Sequence, residues 1–264
     1  MIKIKNLSFK YNKNLVLKDI SLEIDKHDFI GIIGPNGAGK STLMKCLSGF
    51  LKIAKGEILI ENKIIGKHDK IELAKRIAVV VQQPYFEFDF SVKDIVLMGK
   101  FPYLKFWQNF RSSDQNATMT ILKELELSHL ANRRLSELSG GEFQLVMIAR
   151  ALNQNTEILL LDEPAAHLDV HHQIKIFSIL KKLNIAQKRT IISVSHNINL
   201  AAEFCDKILI MSKGEIADFG KVHKVIDEKK LSKIYQVPIK VMNNPFTNKP
   251  NIVYNYYNNE NKEN

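Results

Sequence analysis

The chain has 264 residues, 45% of them apolar, and it carries 38 Lys and Arg against 28 Asp and Glu, a net charge of +10. This length favours one sizeable core and excludes several independent domains. The longest apolar runs stay below 18 residues and no secretory signal pattern follows Met1, so the sequence predicts a cytoplasmic protein without a membrane-spanning helix.

The positive charge does not by itself indicate a nucleic-acid partner. The lysines are interleaved with acidic residues, so a solvated surface is the plain interpretation and attraction to an anionic membrane surface is the alternative. We expect no nucleic acid as a partner. Cys46 and Cys205 lie far apart in apolar segments, which predicts two reduced, buried thiols.

The predicted elements alternate between strands and helices along most of the chain. Runs of β-branched and apolar residues predict strands, and apolar residues at helical spacing predict helices. The predicted strands cover 2–7, 20–24, 29–33, 57–60, 76–82, 158–161, 190–194 and 207–211, and the predicted helices cover 41–50, 142–152, 171–183 and 200–204. This alternation predicts an α/β fold whose mostly parallel sheet is covered on both faces.

Two parts of the chain depart from that alternation. Residues 84–132 begin with an aromatic-rich stretch and continue with helical periodicity, which predicts a separate helical lobe. Residues 241–264 include nine Asn in 24 positions and show no usable periodicity. We expect this Asn-rich tail to be poorly ordered, and we assign it no function.

A glycine-rich segment between a predicted strand and a predicted helix satisfies the pattern G-x-x-x-x-G-K-[ST]. Its glycines let successive backbone N–H groups point at phosphate oxygens, and the next helix directs its positive dipole end at the same place. Lys40 supplies a charge for the β- and γ-phosphates of a nucleoside triphosphate, and Ser41 offers its hydroxyl to Mg²⁺. The pattern predicts that the nucleotide is bound by Gly34, Pro35, Asn36, Gly37, Ala38, Gly39, Lys40, Ser41 and Thr42.

Two acidic residues follow the apolar strand predicted at 158–161. Ligands gather at the carboxyl ends of buried parallel strands, which places Asp162 where a Mg²⁺ carboxylate belongs and Glu163 within reach of an attacking water. A pair of acids that caps a helix is the plain alternative. The phosphate-binding loop upstream favours the catalytic interpretation.

Gln82 and His196 also follow predicted strands. A histidine near the γ-phosphate could orient the water and sense hydrolysis, and Gln82 could meet both Mg²⁺ and water. A single residue of either type is most often an ordinary surface or core side chain. These two assignments therefore depend on the loop and the acids around them.

Residues 138–144, Leu-Ser-Gly-Gly-Glu-Phe-Gln, resemble the LSGGQ-type signature of ABC ATPases. The two glycines expose backbone N–H groups at a helix start, which is a second anion-binding arrangement in one chain. Two anion-binding helix starts in one chain suggest a composite site, in which the signature of one subunit covers the γ-phosphate held by the phosphate-binding loop of another. The resemblance thus implies a homodimer whose ATP contacts include Ser139, Gly140, Gly141 and Glu142.

The resemblance to ABC ATPases extends over residues 1 to about 230, with the motifs in the family's order. It implies that Tyr11 stacks on adenine and that residues 167–169, His-Leu-Asp, form the D-loop that crosses the dimer interface. It also implies catalytic roles for Glu163, His196, Gln82 and Lys40, and Mg²⁺ contacts from Ser41, Gln82 and Asp162.

The family's fold is that of a P-loop NTPase, with a mostly parallel central sheet, an N-terminal antiparallel β region and an inserted helical subdomain. The resemblance therefore implies one ABC ATPase domain over residues 1–240, with the helical subdomain at about 84–140. Phe143 and Leu145 stand where many members carry arginine, which puts local contacts of the helical lobe in question.

Residues 91–103 give a narrower resemblance, to the ATPases of iron–siderophore, haem and vitamin B12 importers, with Lys100 in place of the usual arginine. It implies that ATP hydrolysis drives uptake through membrane permease subunits, supplied by a substrate-binding protein, with this chain at the cytoplasmic face of the membrane. A soluble non-transport ABC ATPase is the alternative, although one phosphate loop, one signature and no heptads argue against it. A kinase built on the same phosphate-binding loop is the third alternative, but the Ser-Gly-Gly signature at residues 139–141 is not expected in a kinase.

The stretch 84–110 holds nine Phe, Tyr or Trp in 27 residues. These rings either fill the core of the helical lobe or form part of a cleft that receives a cytoplasmic helix of the permease. Because the stretch begins two residues after Gln82, we favour the cleft, and we expect charges at Phe86 or Tyr103 to uncouple transport from ATP hydrolysis.

Overall fold

The computed structural model describes residues 1–82, 84, 86–105 and 107–255. Within these ranges the chain forms β-strands, α-helices and four short 3₁₀ turns. The strands are β1 (Ile2–Tyr11), β2 (Asn14–Ile24), β3 (Phe29–Ile33), β4 (Lys55–Ile60), β5 (Lys63–Ile64), β6 (Ile77–Val80), β7 (Ile158–Asp162), β8 (Thr190–Val194), β9 (Lys207–Ser212), β10 (Glu215–Lys221), β11 (Ile239–Asn243) and β12 (Pro250–Tyr254). The α-helices are α1 (Lys40–Leu47), α2 (Lys70–Ala74), α3 (Val92–Leu97), α4 (Ser112–Glu124), α5 (Gly140–Asn153), α6 (Val170–Gln187), α7 (Ile198–Phe204), α8 (Val222–Val225) and α9 (Glu228–Tyr235).

The central sheet has the strand order β10-β9-β3-β8-β7-β6. Its pairs are parallel except for β10, which runs antiparallel to β9. Every residue of β3 and β8 is buried, as expected for inner strands that helices cover on both faces. The carboxyl ends of β3, β6, β7 and β8 therefore lie along one edge of the sheet, and this confirms the predicted α/β fold.

The N-terminal strands form a separate antiparallel sheet in the order β2-β1-β4-β5. Ile2 pairs with Ile24 and Ile4 pairs with Leu22, and these four side chains are buried against helix α1 and one face of the central sheet. The N-terminal antiparallel β region is thus confirmed. Strand β2 begins at Asn14, before the predicted start at residue 20; Leu15, Val16 and Leu17 in its first half are a short apolar run without the alternation that indicates a strand.

Helices α3, α4 and α5 pack together and continue the main apolar cluster of the central sheet. Leu145 is 4% exposed inside this cluster, and Phe143 packs against it from the side. Apolar contacts therefore occupy the two positions where many family members carry arginine. Among the described residues, no helix is long and apolar enough to cross a membrane.

Residues 241–254 differ from the expectation of a poorly ordered tail, because β11 and β12 form a hairpin that packs on α7. The Asn199 side chain donates to the Ile252 carbonyl at 3.0 Å and accepts the Ile252 N–H at 2.6 Å, like a neighbouring strand. Ile239 and Ile252 are buried. These contacts come from a distant helix, so the local composition did not reveal them; the rest of the predicted tail, 256–264, lies outside the described residues.

Both cysteines are free and buried, as predicted. Burial raises the pKa of the Cys46 thiol to about 11 and raises that of Cys205 further. Such thiols stay protonated near neutral pH and are poor nucleophiles.

Candidate nucleotide-binding and hydrolysis site

The glycine-rich loop leaves the end of β3 in a conformation that requires glycine. Gly34 and Gly39 have φ angles of +148° and +96°, which residues with a side chain rarely adopt. A Cβ on Gly34 would overlap the Met211 carbonyl oxygen, and a Cβ on Gly39 would lie 2.8 Å from the Leu17 side chain. The loop therefore turns sharply between β3 and α1 while it packs closely on its neighbours.

Lys40 begins helix α1 and is 5% exposed. Its Nζ donates to the carbonyl oxygens of Gly34 at 2.8 Å and Pro35 at 2.9 Å. Burial lowers the pKa of Lys40, and the nearby carboxylates of Glu163 and Asp162 oppose that shift. The ammonium group thus lies inside the curve of the loop, where positive charge and free helix N–H groups meet.

Asp162 ends β7, two strands away from β3 in the sheet. The Ser41 hydroxyl donates to Asp162 Oδ1 at 3.2 Å. Burial is the main cause that raises the pKa of Asp162, the charge of Glu163 adds to it, and the hydrogen bond from Ser41 opposes it. The structure therefore brings together the hydroxyl and the carboxylate that the sequence predicted as oxygen donors for Mg²⁺.

Glu163 has a φ of +55°, an uncommon conformation for a residue with a side chain. Its Oε2 accepts a hydrogen bond of 2.6 Å from Gln82 Nε2, and its Oε1 lies 2.5 Å from His196 Nε2. The Glu163 side chain is only 11% exposed. The three predicted residues therefore meet at the carboxyl edge of the sheet.

A cleft of about 330 Å³ connects these residues to the loop. Its lining includes most of the predicted phosphate-binding residues together with Glu163 and His196. Val16 from β2 also lines it, although no sequence pattern marks this residue. Tyr11 is 42% exposed and packs edge-on against Phe9 at 5.0 Å between ring centroids. Its stacking on adenine stays a prediction.

Ser139 is the N-terminal cap of α5. Glu142 Oε2 accepts hydrogen bonds of 2.8 Å from both the backbone N–H and the hydroxyl of Ser139, and these bonds hold the pKa of Glu142 below its usual range. This reciprocal arrangement is a capping box that fixes the helix start. Among the described residues that line the cleft at the loop, none belongs to 139–142.

A larger groove of about 820 Å³ lies beside Gln82, between helices α1 and α2 on one side and α5 on the other. Its apolar lining includes Phe50, which is 79% exposed, and Val81, which is 47% exposed. Described residues of 84–110 are absent from this lining. The described part of the aromatic stretch therefore does not line the groove next to Gln82, and its role in docking stays a prediction.

The described rings of that stretch have different surroundings, and Phe110 is half-buried beside Phe101. Phe86 and Phe90 pack against the main core, which agrees with the lobe-core alternative. The Tyr103 hydroxyl donates to the Gln154 carbonyl at 2.9 Å, and Gln154 lines the groove. Tyr85 and Phe106 lie outside the described residues, and the exposed rings are Phe88, Phe101, Tyr103 and Trp107.

Comparisons with known proteins agree with this geometry. The family model described as ABC transporter matches residues 17–166. The hemin import ATP-binding protein HmuV of Escherichia coli O157:H7 is 35% identical over 263 residues, which cover 97% of this chain and 100% of that protein.

Solved structures match over similar lengths. A metal-chelate type ABC transporter in an inward-facing conformation aligns with a TM-score of 0.85 and 29% identity over 97% of both chains. The ATP-binding cassette MJ0796, solved as a dimer in a post-hydrolysis state bound to ADP and Pi, aligns with a TM-score of 0.73 and 32% identity over 84% of this chain and 99% of that one. This chain belongs to the ABC transporter family and is one of its ATPases.

Proposed function

We propose that this chain is the ATP-hydrolysing subunit of an importer that takes up a metal chelate. The observation that carries the proposal is the shared cleft of the phosphate-binding loop, Glu163 and His196. The match to a hemin import subunit over its whole length and to a metal-chelate transporter supports the substrate class.

In this proposal the loop holds the ATP phosphates. Lys40 exchanges its two carbonyl partners for β- and γ-phosphate oxygens, and the first N–H groups of α1 donate to the same phosphates. Tyr11, the last residue of β1, stacks on the adenine. Because Lys40 is buried, its interaction with phosphate is poorly screened by water and contributes strongly to affinity.

The site also fits Mg²⁺. The Ser41 hydroxyl and the Asp162 carboxylate are hard oxygen donors 3.2 Å apart, and no cluster of three His, Cys, Asp or Glu that could bind a metal by itself occurs in the described part of the chain. Mg²⁺ suits such a site, since it is commonly held by one or two protein oxygens together with substrate phosphates. When bound, the ion neutralises charge on the phosphates; Gln82 is the third proposed ligand.

Glu163 is the proposed general base that polarises the attacking water. Gln82 and His196 hold its two carboxylate oxygens, which orients the carboxylate toward the cleft. His196 is 47% exposed and can turn toward the γ-phosphate, where it would orient the water and stabilise developing charge. Both residues act within the same subunit as the loop.

The signature completes the site from a second subunit. Residues 139–142 present the start of α5, and they are not part of the cleft lining of their own chain. In a dimer with ATP at the interface, Ser139 and the first N–H groups of α5 would cover the γ-phosphate bound by the partner. The dimeric cassette bound to ADP and Pi supports this arrangement.

The groove beside Gln82 is the proposed docking site for a cytoplasmic helix of the permease, because Phe50 and Val81 expose apolar surface in its lining and exposed apolar patches mark partner surfaces. Gln82 also contacts the catalytic Glu163, and Ser41 lines both the groove and the cleft, so the docking surface and the hydrolysis site share residues. Through the permease the chain would lie at the cytoplasmic face of the membrane and work with a substrate-binding protein.

Reconstitution tests the proposal. With its permease and binding protein in proteoliposomes, the chain should support ATP-dependent uptake of hemin, an iron(3+)-hydroxamate or vitamin B12. Lys40→Ala should abolish uptake by weakening nucleotide binding, whereas Lys52→Ala, at an exposed lysine just beyond α1, should retain it. ATPase activity without association with any membrane permease would favour the soluble, non-transport alternative.

A further inference from the structure

The second glycine of the signature contacts a histidine from the segment that follows the D-loop. A Cβ added to Gly141 would lie 2.7 Å from Cγ and 2.8 Å from Nε2 of His172, and closer still to its Cδ2. Gly140 has more room, since its Cβ would lie 3.5 Å from the nearest atom of Leu168. The imidazole of His172 therefore fills the space that a side chain at position 141 would need.

Asp169 fixes the orientation of that imidazole. Its Oδ1 accepts the backbone N–H of His172 at 2.8 Å and lies 2.9 Å from the ring Nδ1, and Oδ2 lies at the same distance from Nδ1. These hydrogen bonds hold the pKa of the Asp169 carboxyl below its usual range. With Nδ1 turned to Asp169, the Cδ2–Nε2 edge of the ring faces Gly141.

The same segment reaches the hydrolysis centre of its own subunit. Gln173, the residue after His172, donates from Nε2 to the Leu168 carbonyl at 2.9 Å and accepts a hydrogen bond of 3.5 Å from Asn197. Asn197 caps α7 and directly follows His196. The D-loop is therefore held between the signature and the segment that carries His196.

We propose that His172 is a positioning residue for the signature. Pressed against Gly141 and anchored by Asp169, it holds the first turn of α5 in the orientation that presents its free N–H groups to the nucleotide of the partner subunit. The inference rests on the composite site proposed above. It assigns His172 no contact with nucleotide; the histidine acts through the position of Gly141.

Steric complementarity between the two residues gives the test. Gly141→Ala should lower kcat/KM for ATP by on the order of tenfold, because the added methyl forces the signature away from the imidazole. His172→Ala should raise KM roughly fivefold, as expected when a helix that binds ligand loses its support. The double variant removes the clash, so its kcat/KM should return to within about threefold of His172→Ala alone.

Three further measurements separate positioning from loss of fold. In a Glu163→Gln background, His172→Ala should raise the ATP concentration needed for dimerisation, while binding of a fluorescent ATP analogue to the monomer stays unchanged. His172→Gln, which keeps a planar polar group, should recover part of the activity. His171→Ala, at the exposed neighbouring histidine, should behave like the wild type, and all variants should unfold at similar temperatures.

A double variant as impaired as the product of the two single variants would overturn the inference, because His172 would then not be what excludes a side chain at position 141. Wild-type dimerisation by His172→Ala would overturn it as well. Full activity of Gly141→Ala would overturn the inference too. Failure of the composite site would instead appear as normal ATP hydrolysis by Ser139→Arg, so failure of the proposed function and failure of this inference give different results.

Discussion

Gln82 donates a hydrogen bond of 2.6 Å to Glu163 across 81 residues of sequence. Gln82 follows β6 and Glu163 follows β7, and the two strands are parallel neighbours in the central sheet. The groove proposed for the permease begins at Gln82, and the cleft proposed for hydrolysis contains Glu163. This hydrogen bond joins the two surfaces, whose linings also share Ser41. Variants at Glu163 and at Phe50, each of which lines only one of the two, test the surfaces separately.

Glu163→Gln should retain ATP binding and lower turnover by at least ~10²-fold, the usual scale for the loss of acid–base assistance. Phosphate release and fluorescent nucleotide binding measure the two effects. Glu157→Gln makes the same change just before the opposite end of β7, where the side chain is 71% exposed, and it should hydrolyse ATP normally. Turnover by Glu163→Gln within threefold of the wild type would rule out the assigned base.

The composite site predicts that ATP stabilises a dimer. Glu163→Gln should double its mass in light scattering when ATP and Mg²⁺ are added, because the mutant binds nucleotide without consuming it. Replacing Ser139 by a bulky residue, as in Ser139→Arg, should prevent both the doubling and hydrolysis while monomer binding persists. A mutant that stays monomeric at saturating ATP, together with full activity of Ser139→Arg, would contradict the shared site.

The docking groove predicts that transport and hydrolysis can be separated. Phe50→Glu should reduce hemin uptake by at least ~10-fold, since it places a charge in an apolar interface, while basal ATP hydrolysis stays within twofold. Phe246→Glu makes the same change at a residue that is 94% exposed on the C-terminal hairpin, and it should leave both activities unchanged. Full uptake by a folded Phe50→Glu variant would place the permease elsewhere.

Tyr103→Glu remains an informative variant, because its hydroxyl contacts the backbone of Gln154 at the groove. Phe86→Glu is a poorer test than its sequence position suggests. Phe86 packs against the main core, so a charge there disturbs folding before it disturbs docking.

The raised pKa of Asp162 predicts a pH-dependent cost in stability. Burial, its largest cause, makes the folded chain hold this proton more tightly than the unfolded chain does. The stabilising contribution is therefore fully present below the ordinary aspartate value and is lost as pH rises through the raised value. Asp162→Asn should consequently gain in melting temperature relative to the wild type as pH rises from 4 to 7.5, although it should not hydrolyse ATP.

Differential scanning fluorimetry at several pH values without nucleotide checks this prediction, with Asp69→Asn, an exposed helix cap, as the comparison. A difference between Asp162→Asn and the wild type that is independent of pH would contradict it. Such a result would mean that burial of the charged Asp162 carboxylate does not lower the free energy of unfolding.

The sequence by itself determined the chemistry of this protein. A loop such as residues 34–42 works through its own backbone turn, its own lysine and the helix that follows, so a local pattern describes it fully. The signature behaves in the same way, since Ser139 and Glu142 cap the start of their own helix. Strand and helix periodicity likewise report burial of a face, which was enough to predict the parallel sheet.

Only the tertiary structure decided which distant residues meet. Periodicity shows that a residue is buried but not against what, so the contact of His172 with Gly141 and the pairing of Asn199 with β12 carried no sequence signal. For the same reason the sequence did not predict the groove beside Gln82, while the docking role of residues 84–110 stays a prediction. The lining of the groove comes from α1 and the residues after it, from α2, from the end of β6 and from α5, which are separated along the chain and meet only in the folded structure.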